Sequence, residues 1–506
     1  MNRLQRTLAS LFAASAAAAA PTLVHATNGM NLEGYGPIAL GMGGASMAYD
    51  NGTAGMMNNP ATLGLMPEGE DRFNIAIGFL GPNVDADSPF GQTASSDADA
   101  FWMPAIGYTR KRDGWTYGIG MFAQGGMGTE YSRGTFLSSP SAFIPFNPLT
   151  ATVNPGGSAV GENLENRSEV GVGRLMLPIA FDATPQLTLG GSLDFVWATM
   201  DIRMAMDGTT MADMMPSTVN PAATQTVGTI GGSMVAAMAP MLRLGMMTGL
   251  NYGYVDFSNG SDMFGEAVGY GYAGKLGMVY KVSDRTSIGV TYHTKTALDD
   301  LDTNNANLTM NVGLSAAGAA AMGLPRVAGN YDVPLSGSVK VHDFEWPATL
   351  ALGVSHQAND RFMVAADLKW INWSDVMDTF SLTFTADGSP TNGSFANQTM
   401  DMTMWQNWDD QVVLSFGGAY QLNDKWTIRG GANISQNPIP DANLNYLFPA
   451  IIEDHVTGGF SYQVSDAGRL DFGASYGFNT SQASGASGIT STHSQLSWQL
   501  MYCHHF

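Results

Sequence analysis

The chain has 506 residues, and its 22 Lys and Arg against 43 Asp and Glu leave a formal charge of -21, which excludes nucleic acid as a natural partner. Only 13% of residues are charged while Gly reaches 61, and no stretch beyond the amino-terminus holds 18 consecutive apolar residues, which argues against a helical membrane protein. The single Cys503 leaves no intrachain disulfide to form.

Residues 1–26 carry Arg3 and Arg6, an Ala-rich apolar stretch and Val24-His25-Ala26, the pattern of a removed secretory signal. Residues 27–71 follow as a Gly-rich stretch with scattered apolar groups, too small for a core of its own. From 72 to 506 the chain reads as one all-β domain, since no linker or break in composition divides it. Turn signals recur between alternating runs: Arg112-Asp113-Gly114, Thr184-Pro185, Ser283-Asp284-Arg285, Asn359-Asp360-Arg361, Asn423-Asp424-Lys425 and Ser465-Asp466-Ala467. These six hairpins, with the runs at 73–79 and 494–506 as first and last strands, predict fourteen antiparallel strands. Longer connections, among them 124–169, 201–267 and 297–345, alternate with the short turns, as loops on the outer side of a bacterial transmembrane barrel do.

The phase of each strand separates two solvents. Tyr270, Tyr272, Leu276 and Tyr280 share one face, as do Leu368 and Trp370, whereas Lys275, Asp367, Lys369 and Asp471 take the opposite faces. A charge on the lipid face near the midplane would cost roughly 2 to 4 kcal/mol, so the charged faces are assigned to the lumen. Trp115 and Trp426 follow turns, and Trp102, Trp197, Trp346 and Trp370 lie at far strand ends, where interfacial girdles belong. The chain closes on alternating Leu496, Trp498, Leu500 and Tyr502 and ends at Phe506, like the last strand of outer-membrane proteins that the barrel assembly machinery inserts. On that strand Cys503 reads as a small lumen filler, and His504 and His505 point to opposite faces, so no metal site and no cofactor is expected.

Within 27–71, the order of Gly34-Tyr35-Gly36, then Gly41-Met42-Gly43-Gly44-Ala45-Ser46-Met47-Ala48-Tyr49-Asp50, then Asn59-Pro60-Ala61, followed by barrel strands, resembles the FadL-type outer-membrane transporters of long-chain fatty acids and other hydrophobic compounds. The resemblance implies a fourteen-stranded barrel, a small amino-terminal hatch that plugs the lumen and bears Asn59-Pro60-Ala61, and lateral release of ligand at a kinked third strand. Gly125 and Gly126 lie on that strand, where side chains are missing and a kink or bulge is expected; Val at both positions should fill the gap. Two apolar loop helices, carrying Met234, Met238, Met241 and Leu242 and then Leu314 and Met322, correspond to the family's collecting loops for hydrophobic ligand; the alternative is that they merely cap each other.

Arg174, Lys275, Lys369 and Arg429 fall on lumen phases and are candidate anchors for a carboxylate head; the alternative is internal ion pairing with Asp182, Asp194, Asp367 or Asp471. The function expected is passive, ligand-gated uptake of a hydrophobic small molecule with release into outer-membrane lipid, by a monomer and without enzymatic chemistry. A structural or general diffusion porin is the alternative.

Overall fold

The computed structural model describes residues 28–138, 146–147, 152–153 and 163–506; the expected signal segment at 1–26 lies outside them. Among the described residues a single antiparallel sheet of 24 strands curls until its first strand meets its last. The strands that take part in closure are β1 (Asp71–Asp87), β2 (Phe101–Arg112), β3 (Trp115–Tyr131), β4 (Asn166–Asp182), β5 (Leu187–Asp207), β6 (Met247–Phe257), β7 (Ala267–Ser283), β8 (Thr286–His293), β9 (Leu301–Leu314), β10 (Thr349–Asn359), β11 (Phe362–Ile371), β12 (Gln411–Gln421), β13 (Trp426–Ser435), β14 (His455–Gln463), β15 (Gly468–Ala483) and β16 (Thr490–His505). Sixteen residue pairs join β1 to β16, from Arg72 opposite His505 to Asp87 opposite Thr490.

The expected count of fourteen strands is corrected by these pairings. At the outer rim the hydrogen-bonded circuit leaves β5 for β6, passes to β9, and reaches β7 through Val268 opposite Asp302, so sixteen strands take part. Nearer the short turns β5 and β7 pair directly, from Ala267 opposite Met200 to Tyr280 opposite Leu187. Both extra strands fell in segments read as loops, 201–267 and 297–345. The reason is burial: β6 packs both faces into the outer assembly, so its sequence, Met-Thr-Gly-Leu-Asn-Tyr-Gly-Tyr-Val-Asp-Phe, lacks the apolar and polar alternation that marks a wall strand. The strands at Gly329–His342, Thr379–Ala386, Thr399–Trp405 and Gly228–Gly231 continue the sheet outward from β9.

Phase follows the expectation closely along the wall. Leu276 is 69% exposed and Tyr272 62%, whereas Lys275 between them is 2% exposed. Lipid-facing aromatics stack across strands, as in Phe79, Trp102 and Trp498, with centroids 5.2 to 5.9 Å apart. Such a surface suits a bilayer and no aqueous phase, and closure removes the edge that lipid would leave unpaired. Trp346 departs from the girdle. It is fully buried, stacks edge-on with Trp373, and donates from Nε1 to Asn31 Oδ1 at 2.7 Å.

Residues 28–66 lie against the inner faces of this wall. Gly43 N donates to Thr457 Oγ1 on β14, Ser46 and Met47 donate their amides to Asp367 Oδ2 on β11, and Asn59 Nδ2 reaches the Met278 carbonyl on β7. The short helices of the segment, among them Pro37–Leu40 and Gly55–Asn58, are buried throughout.

Candidate functional site

Among the described residues the wall parts between β2 and β3. β2 and β3 pair from Arg112 opposite Trp115 only as far as Ile106 opposite Met121, although β3 continues to Tyr131. On its other edge β3 shifts register against β4 between Ala123 and Gly125. The expected kink at Gly125 and Gly126 therefore coincides with a bulge, and the amino-terminal segment takes up the freed edge: Asn31 bridges to Gly125, and Gly126 N donates to Met30 O at 3.1 Å. Glycine is required here by space. A Cβ on Gly125 would stand 2.1 Å from Met30 O, and one on Gly126 2.2 Å from Val170 O. Val at these positions would push the backbone aside and would not fill a gap, contrary to the expectation from sequence.

A cleft holding about 1350 Å³ of space, part of it open to its surroundings, occupies this break. Its lining belongs to both faces of the sheet. Val170 and Val172, 4% and 3% exposed, line it on the lumen phase of β4, together with Met30 and Leu32 of the amino-terminal segment. Trp102 and Met121, 48% and 38% exposed, line it on the lipid phase. Across its outer mouth lies the turn after β6, with Met263 and Phe264 more than half exposed. Asp262 in that turn is tied to Arg167 Nη2 at 2.8 Å, and Arg167 also meets Glu130, Glu169 and Asp201. The cluster was not apparent beforehand, because its members lie in segments read as connections.

The other candidates are placed as follows. Asn59, Pro60 and Ala61 are fully buried; Asn59 Oδ1 caps the following turn by accepting from Ala61 N, and its Nδ2 donates to Met47 O at 2.8 Å. Arg174 meets Asp194 at 2.9 Å and also donates to Gln124, while Lys275 takes the same Asp194 oxygen. Lys369 donates to the Glu33 carbonyl at 3.3 Å, and Arg429 to Ser461 Oγ at 2.8 Å. The structure thus brings Arg174 and Lys275 together on Asp194, sets Lys275 and Lys369 along one cavity, and places Arg429 apart in another, with each of the four already engaged. Glu33 sits 2.9 Å from His455 Nε2; burial raises its carboxyl pKa, and His455 and Lys369 outweigh that, leaving it below the ordinary range.

The two apolar loop helices belong to one extended core, and the second meets the chain just beyond the first. Met234, Met238 and Leu242 of helix Ser233–Arg243, with Leu314 at the end of β9, are buried in one cluster, against which the half-buried Met241 and Met322 pack. Ser315 N, ahead of helix Ala316–Ala321, donates to Met246 O at 2.9 Å. Most of this apolar surface is covered by the assembly itself. A second cavity of about 420 Å³ lies nearby, walled by Met204, Met206, Met211, Met400 and Met402. Alternating methionines at 204 and 206 and at 400, 402 and 404 were the available signal for it.

A family model described as outer membrane protein transport protein (OMPP1/FadL/TodX) matches residues 147–499. The chain belongs to this family. It is therefore an outer-membrane β-barrel, in keeping with its lipid-facing wall. The toluene transporter TodX of Pseudomonas putida is 27% identical, with a TM-score of 0.74 over 94% of this chain and 99% of that one. The toluene transporter TbuX of Ralstonia pickettii is 28% identical, with a TM-score of 0.69 over 94% and 99%. Alkane uptake protein A of Marinobacter nauticus is 29% identical over 119 residues, 23% of this chain and 24% of its own. A protein encoded upstream of the phosphoenolpyruvate carboxykinase gene of Chlorobium limicola is 51% identical over 77 residues, 15% of this chain and 37% of its own. The chain thus matches only about 24% to 37% of the length of these curated relatives.

Proposed function

We propose that the protein takes up hydrophobic small molecules across the outer membrane and releases them sideways into the bilayer between β2 and β3. The observation that carries this is the single cavity lined by both faces of the wall, from Val170 and Val172 inside to Trp102 and Met121 outside. An apolar solute gains about 0.8 kcal/mol for each CH₂ that leaves water, so a route of continuous apolar surface ending in lipid carries it downhill, and a water-filled pore would not. The packing of residues 28–66 against the lumen faces supports their role as a hatch, which makes the lateral route the open one. The same packing disfavours a general diffusion porin. Phe506, exposed at the end of the closing strand, fits the part of an insertion signal.

The test is a plug placed in the passage. Gly171 lines the cavity, and a Cβ there would meet nothing closer than Thr199 Oγ1 at 3.5 Å, so a side chain can be added without disturbing the backbone. Gly171→Trp should lower uptake of a neutral hydrocarbon by about fivefold or more, because the indole takes up room along the path that the close-packed surroundings cannot give back. Heat-modifiable migration should be kept. Full uptake by the folded variant would overturn the lateral route.

A further inference from the structure

Resting on that reading of the passage, the charge inventory along it narrows what it carries. The ionisable residues that line the cavity are Glu33, Glu169, Asp262 and His493. Neither Lys nor Arg is among them. Glu169 and Asp262 stand at the lipid-side mouth, where four carboxylates, Glu130, Glu169, Asp201 and Asp262, share the one guanidinium of Arg167. Arg203, opposite Arg167 on β5, is taken by Glu165 and Asp256, so six carboxylates stand against two guanidiniums and the formal charge of the cluster is negative. Inside, His493 is 4% exposed; its Nδ1 lies 2.9 Å from the Pro449 carbonyl, an acceptor, so Nδ1 carries the proton. That leaves Nε2, which has no hydrogen-bond partner among the described residues, as an acceptor also. Apart from the side-chain amides, the Thr199 hydroxyl and the indole N–H groups of Trp102 and Trp197, every polar side-chain group of the passage is thus an anion or a lone pair, and none carries positive charge.

The lumen cations lie elsewhere. Lys275 and Lys369 line a neighbouring cavity, behind Asn31 and Leu32, which it shares with the passage, and each is engaged, with Asp194 and with the Glu33 carbonyl. A carboxylate drawn through the passage would lose its water and find only the Arg167 guanidinium, already taken by carboxylates of the protein, and burial of an ion without a free partner is among the most unfavourable steps available. We infer that the passage selects uncharged apolar molecules, hydrocarbons or their neutral derivatives, and turns away long-chain carboxylates.

The whole protein in lipid nanodiscs, loaded with a neutral naphthylamine fluorophore, supplies the test, with empty nanodiscs subtracted. At about pH 8 a fatty acid is ionised, and three probes of one chain length are compared: dodecanol, dodecylammonium and dodecanoate. Dodecanol should displace the fluorophore, and dodecanoate should need a free concentration at least about tenfold higher, given like charges within one screening length. Dodecylammonium should displace it more readily than dodecanoate does, which separates the sign of the field from mere polarity. In Glu169→Gln with Asp262→Asn the gap between alcohol and carboxylate should narrow about threefold or more. Displacement by dodecanoate at the same free concentration as dodecanol, lost in Lys275→Met or Lys369→Met, would overturn the inference and leave transport standing. If no neutral probe displaces the fluorophore, the transport reading falls and the inference falls with it.

Discussion

Truncating Asn59 to Ala should release the amino-terminal segment and leave the wall intact. Asn59 is fully buried, and its amide makes three hydrogen bonds: to Met47 O at 2.8 Å, to Met278 O at 3.2 Å, and from Ala61 N at 3.1 Å. Its side chain also depends on Gly277, where a Cβ would stand 2.0 Å from Oδ1, so the strand leaves room for this one contact. At about 1 kcal/mol for each bond, with more for a donor left buried and unpaired, the loss is roughly 3 to 4 kcal/mol. Each 1.4 kcal/mol is tenfold, so local opening of residues 44–66 should become about a hundredfold to a thousandfold more frequent. The wall is held by its own closed ladder and gains nothing from Asn59 beyond one strand carbonyl. Hydrogen exchange read by mass spectrometry distinguishes the two parts: peptides from 44–66 should lose protection while those from β1 and β16 keep theirs. Equal loss in both would make Asn59 a determinant of the whole fold, and unchanged protection at 44–66 would refute the estimate.

Asp194→Asn leaves Arg174 and Lys275 as buried cations without a counter-ion and should destabilise the barrel by about 3 to 5 kcal/mol in urea unfolding, with much of the loss recovered when Lys275→Met is added. Because the Glu33 carboxyl is held below its ordinary pKa of 4.5, its contribution is complete above that value and is lost as pH falls through the lowered one; docking of residues 28–40 should be constant from neutral pH down to 4.5 and weaken below it, and Glu33→Gln should abolish that dependence. Leu276→Arg, at the most exposed apolar position on β7, should cost roughly 2 to 4 kcal/mol and reduce the folded, heat-modifiable band, whereas Leu276→Phe should not. In planar bilayers the purified protein should show no large steady conductance, and Asn59→Ala should raise what it has.

Wall strands such as β7 and β11 were legible in the sequence because two immiscible solvents impose opposite demands on alternate residues. Lys275 between Gly274 and Leu276 is enough to fix the phase. β6 was not legible, since an outer assembly that buries both faces writes no alternation; β9 does alternate from Ala306 to Val312, but no short turn brackets it, and it was read as part of the long connection at 297–345. Trp346 has the position of a girdle residue in sequence, but its burial depends on Trp373 and Asn31, which only the closed fold brings to it. For Gly125 and Gly126 the sequence signalled a weak ladder correctly; that the freed edge would be taken by Met30 and Asn31 depends on where the amino-terminal segment docks. Arg174 and Lys275 were visible as lumen cations, but their convergence on one Asp194 oxygen follows from the register of β4, β5 and β7.

The lateral route is tested most directly by marking the path of a ligand. A neutral aromatic diazirine, photolysed in nanodiscs with the whole protein, should label both faces of the break: Val170 and Val172 toward the lumen, and Met121, Trp102 or Phe264 toward lipid. In Gly171→Trp the outer-face labels should fall while the inner ones persist. Labels that skip the break and continue instead along Tyr49, Gln357 and Arg429, which line the cavity beneath the amino-terminal segment, would contradict lateral release and favour a route straight through the barrel.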